Sequence, residues 1–179
     1  MTNRIEHLPP VDMCGIFGYY TYKVPKSRKE VLDLLFTGLK RLEYRGYDSA
    51  GIAFDLDTPA TGAANGTTNG VHSDSDACTV VKSSGKIDNL VQLTHSTLEE
   101  KGINLDTVVD SQVGISHTRW ATHGPPTPGN AHPHVSDPSH EFVVVHNGII
   151  TNYNALKNFL VRALNIWHTI TTARAHHHH

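Results

Sequence analysis

Apolar residues recur along this chain in two rhythms. Between Lys26 and Glu43, the residues Val31, Leu34, Leu35, Leu39 and Leu42 fall at helical intervals, and Ser27 and Glu30 have the spacing of a capping box. A helix is therefore expected from about Lys26 to Glu43. A second helix is expected from Ile87, Leu90, Val91 and Leu98, closing near Gly102, a residue type that commonly ends helices. A third begins after Thr151 or Asn152, with Tyr153, Leu156, Phe159 and Leu160 on one face. Between these lie short apolar runs of strand length: Cys14 to Tyr20, Ala50 to Leu56, a strand resuming at Cys78, Val113 to Arg119, and Glu141 to Gly148. Strands and helices interleaved in this way predict a layered α+β fold.

Two stretches break the rhythm. Asp57 to Ala77 is small and polar with no apolar face, and is expected to be a disordered insertion capping a hairpin, not a boundary between domains. Trp120 to His140 carries five prolines and reads as a long loop outside the core, a kind of loop that often serves function.

Composition narrows the field. The 179 residues, 38% hydrophobic and 18% charged, suit one domain with a real core. A formal charge of -2 supplies no general field for nucleic acid or membranes, and no apolar run approaches the ~20 residues of a membrane helix. With no secretory signal at the start and only two cysteines, the cytoplasm is the expected compartment. His176 to His179 read as a tag remnant, but His117, His123, His132, His134 and His146 fall within about thirty positions of one another, which singles out that stretch.

Five blocks occur in order: CGIFG from Cys14, LEYRGYDSAGIA from Leu42, HTRWATHG from His117, NAHPH from Asn130 and VVVHNGII from Val143. Together they closely resemble the glutaminase domain of glutamine:fructose-6-phosphate aminotransferase, the glucosamine-6-phosphate synthase family, over about Met13 to Val161. That family belongs to the class-II glutamine amidotransferases, which are N-terminal-nucleophile hydrolases. The resemblance implies a four-layer αββα sandwich. It implies hydrolysis of L-glutamine to supply ammonia for amination of fructose 6-phosphate in hexosamine synthesis, with no cofactor and no metal. The sugar-phosphate isomerase half is absent from this chain, and the full-length family enzyme is expected to be a homo-oligomer.

By the same resemblance, Cys14 is the nucleophile, and the Asn147 side chain and Gly148 N–H form the oxyanion hole. Arg119 holds the glutamine α-carboxylate, a task suited to a planar guanidinium fork. Thr122 and His123 belong to the glutamine-binding loop, Trp120 gates the ammonia passage, Arg45 positions the cysteine, and His132 lies near the substrate. The chemistry accounts for the cysteine's terminal place in the family. An ordinary thiol is only a few per cent ionised at neutral pH, and an α-amine, with a pKa of about 7.7 to 8.0, can take its proton.

Two departures stand out. Residues 1–13 form an extension that would make the Cys14 nitrogen an amide. After position 161 the family continues with an acidic block whose aspartate binds the substrate amine, whereas residues 162–179 resemble nothing in it, which suggests truncation. Other readings are the glutaminase half of a different class-II enzyme, an inactive interaction domain, and a zinc hydrolase using His117, His132, His134 and His146. Cys78 reads as an inert thiol.

Overall fold

The computed structural model describes residues 14–56, 78–121, 124–148 and 150–164. The extension before Cys14, the 57–77 insertion, Thr122, His123 and the end of the chain after 164 lie outside the described residues.

The elements follow in the order β1 (Gly15–Thr21), β2 (Lys26–Ser27), α1 (Arg28–Leu42), β3 (Ser49–Asp55), β4 (Cys78–Ser84), α2 (Ile87–Glu100), β5 (Val108–Val109), β6 (Gln112–Arg119), β7 (His134–Val135), β8 (Val143–Val144) and α3 (Tyr153–Leu164), with short 3-10 turns at Glu43–Arg45 and Pro128–Asn130. Four strands form one antiparallel sheet in the order β1-β6-β3-β4. The pairs β2-β5 and β7-β8 are separate two-stranded ladders.

The first helix starts where its sequence says it should. Ser27 Oγ accepts from Glu30 N at 3.2 Å, and Glu30 Oε2 accepts from Ser27 N at 2.7 Å, so the capping box is complete. The second helix ends in a Schellman motif: Gly102 N–H donates to Glu99 and Ile103 N–H donates to Leu98. Gly102 holds φ +66, which only glycine adopts without steric cost. At the other end of α2, the Tyr47 hydroxyl accepts from Ile87 N at 2.9 Å and donates to Glu43 at 2.5 Å. Burial first, and then the bond to the Glu43 carboxylate, raise the phenol pKa to about 12. The loop after α1 thus caps α2.

Val31, Leu32, Leu35, Phe36 and Leu39 of α1 pack with Ile87, Leu90 and Leu98 of α2 against Ala50, Ile52 and Phe54 of β3 and Val81 of β4. Each fully buried Leu or Ile contributes roughly 1.5–3 kcal/mol, so this single layer of helix on sheet supplies the core. Leu35 is fully buried and lies on Gly114 of β6, where an added Cβ would come within 2.7 Å of it.

Two expectations are corrected, and the face of α3 is a further finding. Glu141 to Gly148 was expected to be one strand, but only Val143–Val144 pairs, and Phe142 and Val144 are exposed. Apolar sequence sufficed for the expectation, yet among the described residues only β7 offers this segment an edge. The loop from Trp120 to His140 is not excluded from the interior: Ala131 is fully buried and Pro133 is buried. On α3, Tyr153 is buried while Leu156 and Phe159 are exposed, so among the described residues the apolar face is only partly covered.

Candidate functional site

Antiparallel pairing collects the site at one end of the sheet. Gly15, the first residue of β1, pairs with Thr118 near the end of β6, and Arg119, the last residue of β6, pairs with Ser49, the first of β3. Cys14, Trp120 and Asp48 each stand one residue outside those strands, so all three lie at the same end of the sheet. Thr118 Oγ1 accepts from Gly15 N at 3.0 Å, which pins the chain just after the cysteine.

The Cys14 thiol is half-buried and unoxidised. Trp120 N–H donates to its Sγ at 3.4 Å, and the thiol donates to the Trp120 carbonyl at 3.9 Å. Sequence reasoning singled out the Trp120 indole, which is 37% exposed, but the backbone of Trp120 is what touches the sulfur. Asn147 arrives from the segment after β8. Its Nδ2 donates to the Cys14 carbonyl at 2.9 Å, and its Oδ1 lies 2.6 Å from Nε2 of His117. Gly148, next in the chain, sits under the His146 ring.

Arg119 points into the same end of the sheet. Its guanidinium lies 3.8 Å from Asp48 Oδ1 and donates to the Pro125 carbonyl at 3.4 Å. The other Asp48 oxygen accepts from Ala121 N–H, and Asp48 N–H donates to the Arg119 carbonyl at 2.8 Å. Asp48 therefore fastens both the arginine and the start of the loop that follows it. Sequence reasoning gave Asp48 no role; its signals there were its place in the LEYRGYDSAGIA block and its position two residues before the strand predicted from Ala50.

A second anchor lies on the sheet face turned away from α1. Gly51 pairs with His117 across β3 and β6, and the His132 carbonyl rests on Gly51, where any Cβ would collide with it. The His132 ring stacks on His117 with centroids 4.4 Å apart, and His134 follows at 4.2 Å. His132 Nδ1 accepts from His146 N–H at 3.1 Å. This column carries the chain from the NAHPH block to Asn147. Burial, with cationic neighbours adding to it, lowers His132 to about 3 and His134 to about 4. Burial also lowers His117, against the opposing effect of its bond to Asn147.

Cys14, Arg119, Trp120, His132, Asn147 and Gly148 thus come together. Thr122 and His123 fall outside the described residues, and Arg45 lies in the 3-10 turn Glu43–Arg45. The histidines of the zinc reading are adjacent, but the His117 and His132 rings stack, His134 is tilted at 60° to His132, and two of their nitrogens are taken by Asn147 and His146. Among the described residues no group of His, Cys, Asp and Glu is disposed to hold a metal ion, and no helix is long and apolar enough to cross a membrane.

No protein-family model matches the chain. Curated relatives do. The chain is 47% identical over 150 residues to glutamine–fructose-6-phosphate aminotransferase (isomerizing) 1 of Arabidopsis thaliana, and 47% identical over 150 residues to that of Rattus norvegicus. To the Saccharomyces cerevisiae enzyme it is 46% identical over 149 residues. These alignments cover 84%, 83% and 83% of this chain but 20%, 20% and 18% of the relatives, so the chain spans about a fifth of their length. Over this span the chain is similar to enzymes of the glutamine amidotransferase class. Within that class it matches the N-terminal glutaminase domain of glutamine:fructose-6-phosphate aminotransferase.

Proposed function

We propose that this domain hydrolyses the side-chain amide of L-glutamine and that, in a longer protein, the ammonia aminates fructose 6-phosphate for hexosamine synthesis. The observation that carries this reading is the convergence of the Cys14 thiol, the Trp120 N–H and the Asn147 carboxamide. Cys14 sulfur attacks the amide carbon, the carbon–nitrogen bond breaks, nitrogen leaves as ammonia after gaining a proton, and water cleaves the thioester to glutamate. The Cys14 α-amine, once freed of residues 1–13, moves the proton. Asn147 Nδ2 and Gly148 N–H bear the oxyanion, a contribution typically worth ~10²–10³ in rate per donor. Arg119, half-buried beside Asp48, takes the substrate α-carboxylate. Thr122 and His123 close over glutamine, the Trp120 ring gates ammonia, Arg45 positions the cysteine and His132 supports the substrate pocket.

The sheet forms half of a four-layer αββα sandwich. Support comes from its two faces: α1 and α2 cover one, while Ile16, Tyr20 and Val113 on the other are exposed. The β7-β8 ladder would begin the second sheet.

A glutamine-analogue electrophile tests the assignment. In a chain beginning at Cys14, label should appear on Cys14 and be suppressed by glutamine, and Cys14→Ala should abolish ammonia release while Cys78→Ala leaves it intact. Label confined to Cys78 would reject the reading.

A further inference from the structure

We propose that His117 is a positioning residue that fixes which end of the Asn147 carboxamide faces Cys14. This rests on the glutaminase reading, which gives Asn147 its place at the oxyanion, but its geometry stands apart from it.

A carboxamide is nearly symmetric in shape, so only its hydrogen-bond partners decide which end carries the donors. Asn147 has two such partners, the Cys14 carbonyl at 2.9 Å and His117 Nε2 at 2.6 Å. The carbonyl of Cys14 accepts and never donates. The amide nitrogen must therefore face Cys14, and the amide oxygen must face His117. At 2.6 Å that oxygen requires a donor, so the imidazole proton sits on Nε2. The opposite tautomer would set two lone pairs against each other. Turning the amide round to relieve that clash would set two oxygens against each other at Cys14.

His117 is suited to this single arrangement. It is 1% exposed, is stacked under His132, and its Nδ1 has no hydrogen-bond partner among the described residues. Placing the proton on Nε2 leaves a bare acceptor at Nδ1, which is the smaller loss because the alternative also sacrifices the 2.6 Å bond. With the oxygen held by His117, both Nδ2 hydrogens stay on the cysteine side. One is spent on the Cys14 carbonyl and the other remains for a developing oxyanion. An asparagine released from His117 is free to turn its oxygen toward the nucleophile, where it would repel the same charge.

Two measurements test this, the first on the full chain and the second on a chain beginning at Cys14. Long-range proton–nitrogen correlation spectra report the His117 tautomer without reference to activity. The expected result is a proton on Nε2 at neutral pH, with the His117 nitrogen signals moving in Asn147→Ala. A proton on Nδ1, or signals indifferent to Asn147→Ala, would overturn the proposal. The second measurement is a double-mutant cycle on glutamine hydrolysis. His117→Leu, which removes the donor, should lower kcat by ~10- to 10²-fold, within the worth of one oxyanion donor, with little change in KM. His117→Gln, whose amide nitrogen reaches the Nε2 position, should recover most of it. In the Asn147→Ala background, His117→Leu should cost nothing further. Equal losses in both backgrounds would mean that His117 supports the fold alone and would sink the idea. If the chain beginning at Cys14 releases no ammonia, the function proposed above fails, and the spectra still decide this inference.

Discussion

Asp48 and Arg119 hold one another at 3.8 Å across the end of the central strands, with the arginine 11% and the aspartate 25% exposed. The pair lies between two regimes. Exposed ion pairs are worth less than ~1 kcal/mol, whereas breaking a buried one costs ~3–5 kcal/mol. Asp48→Ala also strips the acceptor from Ala121 N–H. A loss of about 1–3 kcal/mol in urea unfolding is expected, with a higher KM for glutamine as Arg119 loses its brace. Unchanged stability and KM would show that the pair is incidental.

Arg119→Lys separates charge from shape. A lysine keeps the charge and still faces Asp48, but it cannot grip a carboxylate with two parallel bonds. The melting temperature should hold within a few degrees while KM for glutamine rises at least ~10-fold, the worth of one lost charged hydrogen bond. An unaltered KM would reject the carboxylate role.

Gly51→Ala tests the column of histidines. The new methyl would meet the His132 carbonyl, a backbone atom that yields only if the loop moves. Overpacking of this kind typically costs ~1–3 kcal/mol. Because the displaced loop leads to Asn147, ammonia release should fall together with stability. A stable, fully active variant would show that the loop is not seated on β3.

Acid should weaken this fold before its carboxylates titrate. Burial holds His132 to about 3 and His134 to about 4, with His117 lowered as well. The neighbours whose positive charge opposes protonation are Arg119, His117, His134 and His146 for His132, and Lys82, His117 and Arg119 for His134, the histidines among them only when they are themselves protonated. An unfolded chain binds protons at these rings as pH falls through about 6.5, while the folded chain does not, so stability rises with pH in this range. It is fully present above about pH 7 and declines toward pH 4, where His134 begins to take a proton in the folded state too. The urea midpoint should therefore drop between pH 7 and pH 5, and His134→Gln should flatten that slope. A slope that His134→Gln leaves unchanged would rule out this source.

Residues 1–13 bear on the base. While they remain attached, the Cys14 nitrogen is an amide that cannot accept a proton near neutral pH. A chain beginning at Cys14 should release glutamate at least ~10²-fold faster, the lower end of general acid–base assistance. Equal rates from both forms, each confirmed by intact mass, would eliminate an α-amine mechanism.

Local chemistry was legible in the sequence wherever near neighbours decide it. Ser27 and Glu30 announced the start of α1, and Gly102 the end of α2, because a cap involves only residues a few positions apart. The Glu141 to Gly148 strand failed because an apolar run declares a wish for cover without naming what provides it. His117 entered the sequence reading as a letter in a block, one of a run of histidines and a candidate ligand in the alternative zinc reading. Its tie to Asn147 depends on strand register and on Gly51 admitting the loop, neither of which is written in any short window.

The pairing that closes the site has a counterpart at the other extreme of the sheet. Ser49 pairs with Ser84 at the Cys14 end of the sheet, and Asp55 pairs with Cys78 six residues along. At ~3.4 Å per residue these two levels stand roughly 20 Å apart. Whatever joins Leu56 to Cys78 is therefore tethered at the pole opposite the thiol. That junction is an attachment point: a fluorophore, an affinity handle or a whole guest domain grafted there would hang from the scaffold at a distance from the chemistry it is meant to report.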